Sequence, residues 1–124
     1  MPKVGRRPLI AAVVAVAGAL AIASVTSAST TKNLSANKTK LAFNKTTIRV
    51  TLPSDRKVTL VMANPSSFPH AIAVEGHGVD KKGQTVNKGG TSRVTATLKK
   101  GTYTFYCPVD GHKAAGMKGK LIVS

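Results

Sequence analysis

The chain is predicted to fold as an all-β domain, a sandwich or barrel of about seven to eight short strands. Three observations support this prediction. Apolar and polar residues alternate almost throughout residues 48–123, turn-forming segments separate the alternating runs, and no long segment has the 3.6-residue period of an amphipathic helix. Short strands joined by regular turns within about 100 residues are typical of antiparallel β-sandwiches and barrels.

Apolar residues at every second position predict six of these strands. The alternating segments are residues 48–52, 58–62, 72–74, 94–98, 103–107 and 121–123. Turn material lies between them, for example Pro, Ser and Asp at residues 53–55. Residues 76–90 are rich in Gly and Lys, and their apolar residues are Val79 and Val86. We expect a long loop there, or a loop around one short strand.

The first 28 residues are predicted to be a cleaved export signal and not part of this domain. Residues 1–8 carry three basic side chains and no acid, and an unbroken run of apolar and small residues follows over residues 9–23. This run is short for a membrane span, which needs about 20 residues, so cleavage is favoured over a retained membrane anchor. Arg6 and Arg7 resemble part of a twin-arginine signal, so a Sec or a twin-arginine route is expected.

Residues 29–40 are polar, rich in Ser, Thr, Asn and Lys, and have no apolar period. We expect them to form a flexible leader. The folded domain is therefore expected to span residues 41–124.

The chain is strongly basic, with 19 Lys and Arg against 4 Asp and Glu. Three of the 19 basic residues lie in the predicted signal, so the exported part keeps 16 and a net charge near +12. These residues are spread along the chain, and aromatic residues that could stack on bases are few, so nucleic acid is not expected as a partner. A solvated surface that steers acidic proteins is the favoured interpretation.

The C-terminal part of the chain contains a motif of soft donors. Cys107, the single cysteine, forms a Cys-x4-His-x4-Met spacing with His112 and Met117. The predicted strands on either side place all three on one loop, and His70 offers a second imidazole at the start of an upstream strand. Two histidines, one thiolate and a weak axial methionine form the type 1 copper arrangement. Zinc is the weaker alternative, because methionine is a poor zinc ligand.

The two segments that carry these donors resemble the plastocyanin/azurin family of blue copper proteins, the cupredoxins. The likeness lies in NPSSFPH at residues 64–70 and YCPVDGHKAAGM at residues 106–117, and it extends over about residues 41–124. The loop spacing is most similar to the auracyanin, rusticyanin and sulfocyanin branches. The resemblance implies a Greek-key β-sandwich, one copper ion that alternates between Cu(I) and Cu(II), and single-electron exchange with larger redox proteins. The copper ligands that it implies are His70, Cys107, His112 and Met117.

Ala71 departs from the family pattern, since many members have Asn directly after the first ligand histidine. The side chain that would tie the ligand loops together is absent, although the backbone N–H of Ala71 could still point at the sulfur of Cys107. Groups beside metal ligands tune the site, so Ala71 bears on the reduction potential and not on the existence of the site. Pro108 follows Cys107 and is also expected beside the ligands. His77, between two glycines, is not assigned to copper.

An exported electron carrier is the favoured function. The exposed edge of His112, next to Val109, Ala114 and Ala115, is the expected electron-exchange patch, and nearby lysines would steer acidic donor and acceptor proteins. The alternative is a periplasmic or extracellular copper-binding or copper-delivery protein that uses the same four residues. Catalysis by this chain alone is rejected, because its three histidines include no His-x-His pair for further copper ions. A monomer in the periplasm, at the cell surface or outside the cell is expected.

Overall fold

Eight β-strands follow one another along residues 29–124, the part of the chain that the computed structural model describes. They are β1 (Thr30–Ser35), β2 (Thr47–Val50), β3 (Lys57–Ala63), β4 (Ala73–Gly76), β5 (Val79–Lys82), β6 (Thr91–Thr97), β7 (Gly101–Tyr106) and β8 (Lys118–Val123). Within this part no α-helix occurs, and so none could span a membrane. The prediction of an all-β domain with seven to eight strands is confirmed. The predicted export signal lies outside the described residues.

The strands form two sheets, β1-β3-β6 and β2-β8-β7-β4-β5. The chain crosses from one sheet to the other after β1, β2, β3, β5 and β6. Because of these crossings, β1 lies parallel to β3 and β2 lies parallel to β8, while the other neighbouring pairs are antiparallel. The sequence predicted an antiparallel sandwich, and these two parallel pairs are the difference.

The core lies between the two sheets and follows from the period-two patterns. In β3 and β6, every second side chain faces inward while the residues between them are exposed or half-buried. The apolar inward-facing side chains of these two strands are Val58, Leu60, Met62, Val94 and Ala96. From the other sheet, Phe105 of β7 packs on Phe43 with ring centroids 5.6 Å apart. Removal of these side chains from water is the main stabilising contribution to such a fold.

The prediction of a flexible leader over residues 29–40 is wrong. Residues 30–35 form β1, which pairs with β3 along its whole length, and Leu34 and Ala36 are buried in the core. An edge strand needs only one buried face, and here that face carries a single large apolar residue, Leu34. An apolar period of that length is too short to be recognised in the sequence, so the folded domain begins near residue 30 rather than at residue 41.

Residues 76–90 contain one short strand, β5, and a loop, as one of the two sequence interpretations predicted. Val86 in this loop forms an isolated bridge with His70, which connects the loop to the segment that precedes β4. His77 lies in the β4–β5 turn with a positive φ of 48°. Its ring packs on Tyr103 with centroids 4.9 Å apart, and it is not part of the cluster that contains the other two histidines.

Candidate metal centre

His70 is positioned by a loop whose shape depends on two buried polar side chains, Asn64 and Ser66. The amide of Asn64 donates hydrogen bonds to the carbonyls of Phe68 and Val86 at 2.8 and 2.9 Å. Its oxygen accepts the N–H of Ser66 at 3.0 Å, and the Ser66 hydroxyl accepts the N–H of Phe68 at 2.9 Å. Buried polar groups with several satisfied hydrogen bonds hold a loop in one conformation, and this loop delivers His70 to the end of the sandwich.

The other three predicted ligands lie on the ligand loop, residues 107–117, between β7 and β8. The N–H of Cys107 donates to the carbonyl of Met117 at 3.0 Å, and the N–H of Met117 donates to the carbonyl of His112 at 3.0 Å. Gly111 and Gly116 have φ values of 79° and 109°, a region that favours glycine. These two glycines therefore allow the tight turns by which the loop folds back on itself.

Three donor atoms converge where these loops meet. Nδ1 of His70 lies 3.2 Å from Nδ1 of His112, and Sγ of Cys107 lies 3.5 Å from Nδ1 of His112 and 3.9 Å from Nδ1 of His70. Nitrogens at about 2.0 Å and a sulfur at about 2.3 Å from one ion lie about 3.3–3.7 Å apart at trigonal or tetrahedral angles. The donor spacing therefore fits one metal ion with soft preferences.

The burial of His70 favours the form of its imidazole that binds metal. His70 and Cys107 are fully buried, whereas His112 is half-buried and reaches the surface. Burial lowers the pKa of His70 below its ordinary 6.5, and the charge that His112 can carry lowers it further. Imidazole binds metals in its neutral form. Nε2 of His70 is buried without a hydrogen-bond partner among the described residues, so its ring is oriented by packing and by its backbone.

Backbone hydrogen bonds hold Met117 next to Cys107 and His112. Its side chain is fully buried within the core cluster that also contains Cys107, and its backbone bonds to both Cys107 and His112. The structure therefore places all four sequence-predicted ligands at one end of the sandwich.

Comparison with known proteins agrees with this geometry. The profile of the cupredoxin-like domain family matches residues 11–123. The chain belongs to this family. Among solved structures, auracyanin B is similar with 24% identity and a TM-score of 0.66, over 82% of this chain and 93% of that chain. An auracyanin from Roseiflexus castenholzii, reduced with dithionite, is similar with 25% identity and a TM-score of 0.63, over 79% of this chain and 99% of that chain.

Auracyanin A of Chloroflexus aurantiacus, described as a blue copper protein, is similar with 23% identity and a TM-score of 0.62. The similarity covers 77% of this chain and 99% of that chain. The search of curated proteins found no match. The predicted resemblance to the cupredoxins is thus confirmed.

Ala71, one of the two residues expected beside the ligands, contacts Cys107 in this cupredoxin-like chain. The N–H of Ala71 points at Sγ of Cys107 at a distance of 3.5 Å, and Ala71 is fully buried. Pro108 is half-buried directly after Cys107. On the outside of the loop, Ala114 and Ala115 are exposed, and Val109 is half-buried.

Sequence reasoning missed Phe68 as a surface residue. It is 47% exposed, the one large apolar side chain that is exposed in the described part, and its ring centroid lies 6.4 Å from that of His70. The sequence did contain an indication of this exposure, because Phe68 lies between Ser67 and Pro69, outside any run of alternating apolar residues.

Sequence reasoning also missed a polar chain that begins at Lys113. The Lys113 ammonium pairs with the Glu75 carboxylate and lies 4.4 Å from the centroid of the Tyr106 ring. The Tyr106 hydroxyl donates to Asp80 at 2.8 Å, and Asp80 pairs with Lys82 at 3.1 Å. The hydrogen bond from Tyr106 lowers the pKa of Asp80, and burial together with Asp80 raises the pKa of Tyr106. These contacts join residues up to 38 positions apart in the chain, so no local sequence pattern predicts them.

Proposed function

We propose that this chain is a type 1 copper protein that carries single electrons between redox partners. Its ligands are His70, Cys107, His112 and Met117. The observation that carries the proposal is the convergence of two imidazole Nδ1 atoms and the sulfur of Cys107 within 4.8 Å. The thioether of Met117, which is buried in the same core cluster as Cys107, would add a weak fourth donor and complete a type 1 donor set.

Copper supplies a one-electron couple, Cu(I)/Cu(II), when it is bound in such a site. The protein's part is to keep the donors still. Asn64 and Ser66 hold the His70 loop, and the backbone bonds between Cys107, His112 and Met117 hold the ligand loop. Ala71 donates its N–H towards the sulfur and stabilises the negative charge on it. A donor set that moves little between oxidation states exchanges electrons rapidly.

His112 is the proposed route for electrons, because it is the histidine of the pair that reaches the surface. Around it lie Val109, Ala114 and Ala115, and Phe68 adds a larger apolar contact on the His70 side. A small apolar patch within a basic surface suits short-lived encounters with acidic electron donors and acceptors. The protein acts as a monomer in these encounters and not on nucleic acid.

Residues 1–28 act as an export signal in this proposal, so that the protein works in the periplasm, at the cell surface or outside the cell. The basic start and the apolar run that follows it support this location. Mass spectrometry of the protein recovered from its native compartment tests it. A mature chain that begins near residue 29 agrees with the proposal, whereas a chain that still carries residues 9–23 contradicts cleavage.

A copper-delivery protein is the second candidate, and Ala71 is the observation that favours it. Ala71 contributes only a backbone N–H at 3.5 Å from the sulfur and no side-chain bond between the loops. A looser site releases copper more readily. Slow electron self-exchange together with rapid transfer of copper to an acceptor would favour delivery over electron transport.

Addition of Cu(II) to residues 29–124 tests the proposed centre. We expect an intense blue or green colour from the thiolate-to-copper transition and a narrow copper hyperfine splitting. Cys107→Ser removes the thiolate and is expected to abolish the band. A protein that binds Cu(II) without colour would overturn the type 1 proposal.

A further inference from the structure

Lys113 makes the polar side-chain contact that joins the ligand loop to the sheet. The backbone hydrogen bonds formed by the N–H groups of residues 108–116 remain inside the loop, at His112, Ala115 and Gly116. Val109 packs against the core from one side. On the other side, the loop is tied down by the ion pair between Lys113 and Glu75 of β4.

Lys113 has a second contact that makes this tie stronger than an ordinary surface ion pair. Its ammonium lies over the ring of Tyr106, 4.4 Å from the centroid. Tyr106 is 5% exposed and directly precedes Cys107, and its hydroxyl is bound by Asp80 of β5. An isolated exposed ion pair contributes little, but an ion pair combined with a cation–π contact to a fixed ring holds the lysine in one place.

Open grooves lie on both sides of this tie. One has a volume of about 580 Å³ and includes Thr46, Thr104 and Lys120, and the other has a volume of about 440 Å³ and includes Pro108 and Asp110. Lys113 lines both of them. No other side chain in the described part of the chain spans the gap between the ligand loop and the outer face of the sheet by a hydrogen bond or an ion pair.

We propose that Lys113 is a positioning residue for the metal centre. Its contacts with Glu75 and Tyr106 hold the ligand loop closed, so that His112 and Cys107 keep their spacing without metal and release copper slowly. The claim of slow copper release rests on the proposed copper function. The claim that the loop is held closed does not, because closure is a property of the metal-free protein.

The test of closure uses the copper-free protein and the thiol of Cys107. This thiol is fully buried, so alkylation by iodoacetamide requires the loop to open. Lys113→Met keeps the length of the side chain and removes the charge, and it is expected to speed alkylation about 3- to 10-fold, the combined effect of one ion pair and one cation–π contact. Lys113→Arg keeps both contacts and is expected to restore the native rate.

Lys120→Met is the matched control, since it removes the same charge from the same groove at a side chain with no ion pair among the described residues. It is expected to react at the native rate. Glu75→Gln is expected to speed alkylation like Lys113→Met. The acceleration in the double variant, relative to the native protein, is expected to be smaller than the product of the two single accelerations, because both substitutions remove the same ion pair. Equal rates in Lys113→Met and the native protein would overturn the proposal, as would equal acceleration in Lys120→Met.

The second readout is the loss of copper colour after addition of a chelator. Lys113→Met is expected to lose copper about 3- to 10-fold faster than the native protein, and Lys113→Arg at the native rate. Faster alkylation with unchanged copper release would overturn the claim about retention while leaving loop closure in place. A native protein that gains no colour with copper would contradict the proposed function, and the alkylation rates would still decide whether Lys113 closes the loop.

Discussion

At the scale of single residues, the candidate centre depends on atoms that come together from distant parts of the chain. Nδ1 of His70 and Nδ1 of His112 are 42 residues apart in sequence and 3.2 Å apart in space. Cys107 receives the N–H of Ala71 across 36 residues. Each donor is expected to affect a different measurable property of the protein, so single substitutions can distinguish the ligand roles.

Replacement of Met117 by Leu tests the axial position. The thiolate colour should persist, because Cys107 and both histidines remain. The reduction potential should rise by on the order of 60 mV, equivalent to a tenfold relative loss of the Cu(II) form, because a donor to copper is replaced by an apolar group. Cyclic voltammetry measures this change. Met62→Leu, at a fully buried methionine of β3, is the control and should leave the potential unchanged.

The buried imidazole of His70 should make the copper-free protein less stable in acid. Its pKa is lowered from 6.5 in the folded state, chiefly by burial. Between that lowered pKa and 6.5, the unfolded chain binds the proton and the folded chain does not, so the free energy of unfolding decreases as the pH falls below about 6.5. Urea unfolding between pH 5 and pH 7 measures the slope. His70→Phe should reduce the slope, whereas His77→Gln should retain it.

At the scale of elements, the ends of the strands determine where the donors lie. Cys107 follows the last residue of β7, Met117 precedes the first residue of β8, and these strands are antiparallel neighbours. The two ends of the ligand loop are therefore adjacent whatever the loop contains. The sequence was sufficient to predict this arrangement, because both strands have a clear period of two. It was not sufficient for β1, whose inner face carries only Leu34 as a large residue.

Leu34→Ala tests the contribution of β1 to the fold. Leu34 is 5% exposed and belongs to the core cluster, so its truncation should lower the free energy of unfolding by about 2–4 kcal/mol. Urea unfolding of the copper-free protein measures this loss. Thr31→Ala, at an exposed position of the same strand, should change stability by no more than about 0.5 kcal/mol. Equal effects of the two substitutions would mean that β1 does not pack as described.

At the scale of the whole molecule, basic side chains lie beside the proposed electron-exchange patch. Lys113 and Lys118 line the groove beside the ligand loop, and Lys82 stands at its edge. Lys113 and Lys82 are themselves paired with Glu75 and Asp80, so Lys118 is the lysine of this groove that has no ion pair among the described residues. The positive charge beside the patch should therefore attract anionic partners.

Electron exchange with hexacyanoferrate, a small anion, should slow as salt is added. The screening length decreases from about 30 Å at 0.01 M to about 8 Å at 0.15 M ionic strength, so the attraction between the anion and the basic surface is lost. Stopped-flow absorbance at the copper band measures the rate. Lys118→Glu, beside the ligand loop, should weaken the salt dependence more than Lys100→Glu, which lies in the β6–β7 turn. A rate that does not depend on salt would contradict electrostatic steering.

Apart from the fourth candidate donor, His70, which rested on its position and on the family resemblance, the sequence by itself determined the all-β class, six of the eight strands and the three candidate donors of the ligand loop. These features are local: a period of two marks a strand with one buried face, and a Cys-x4-His-x4-Met spacing lies within one loop. The tertiary structure alone decided that β1 belongs to the fold, that Phe68 is exposed beside His70, and that Lys113 reaches Glu75 and Tyr106. Each of these depends on which strands become neighbours across the two sheets, and contacts between residues far apart in the chain leave no period in its sequence.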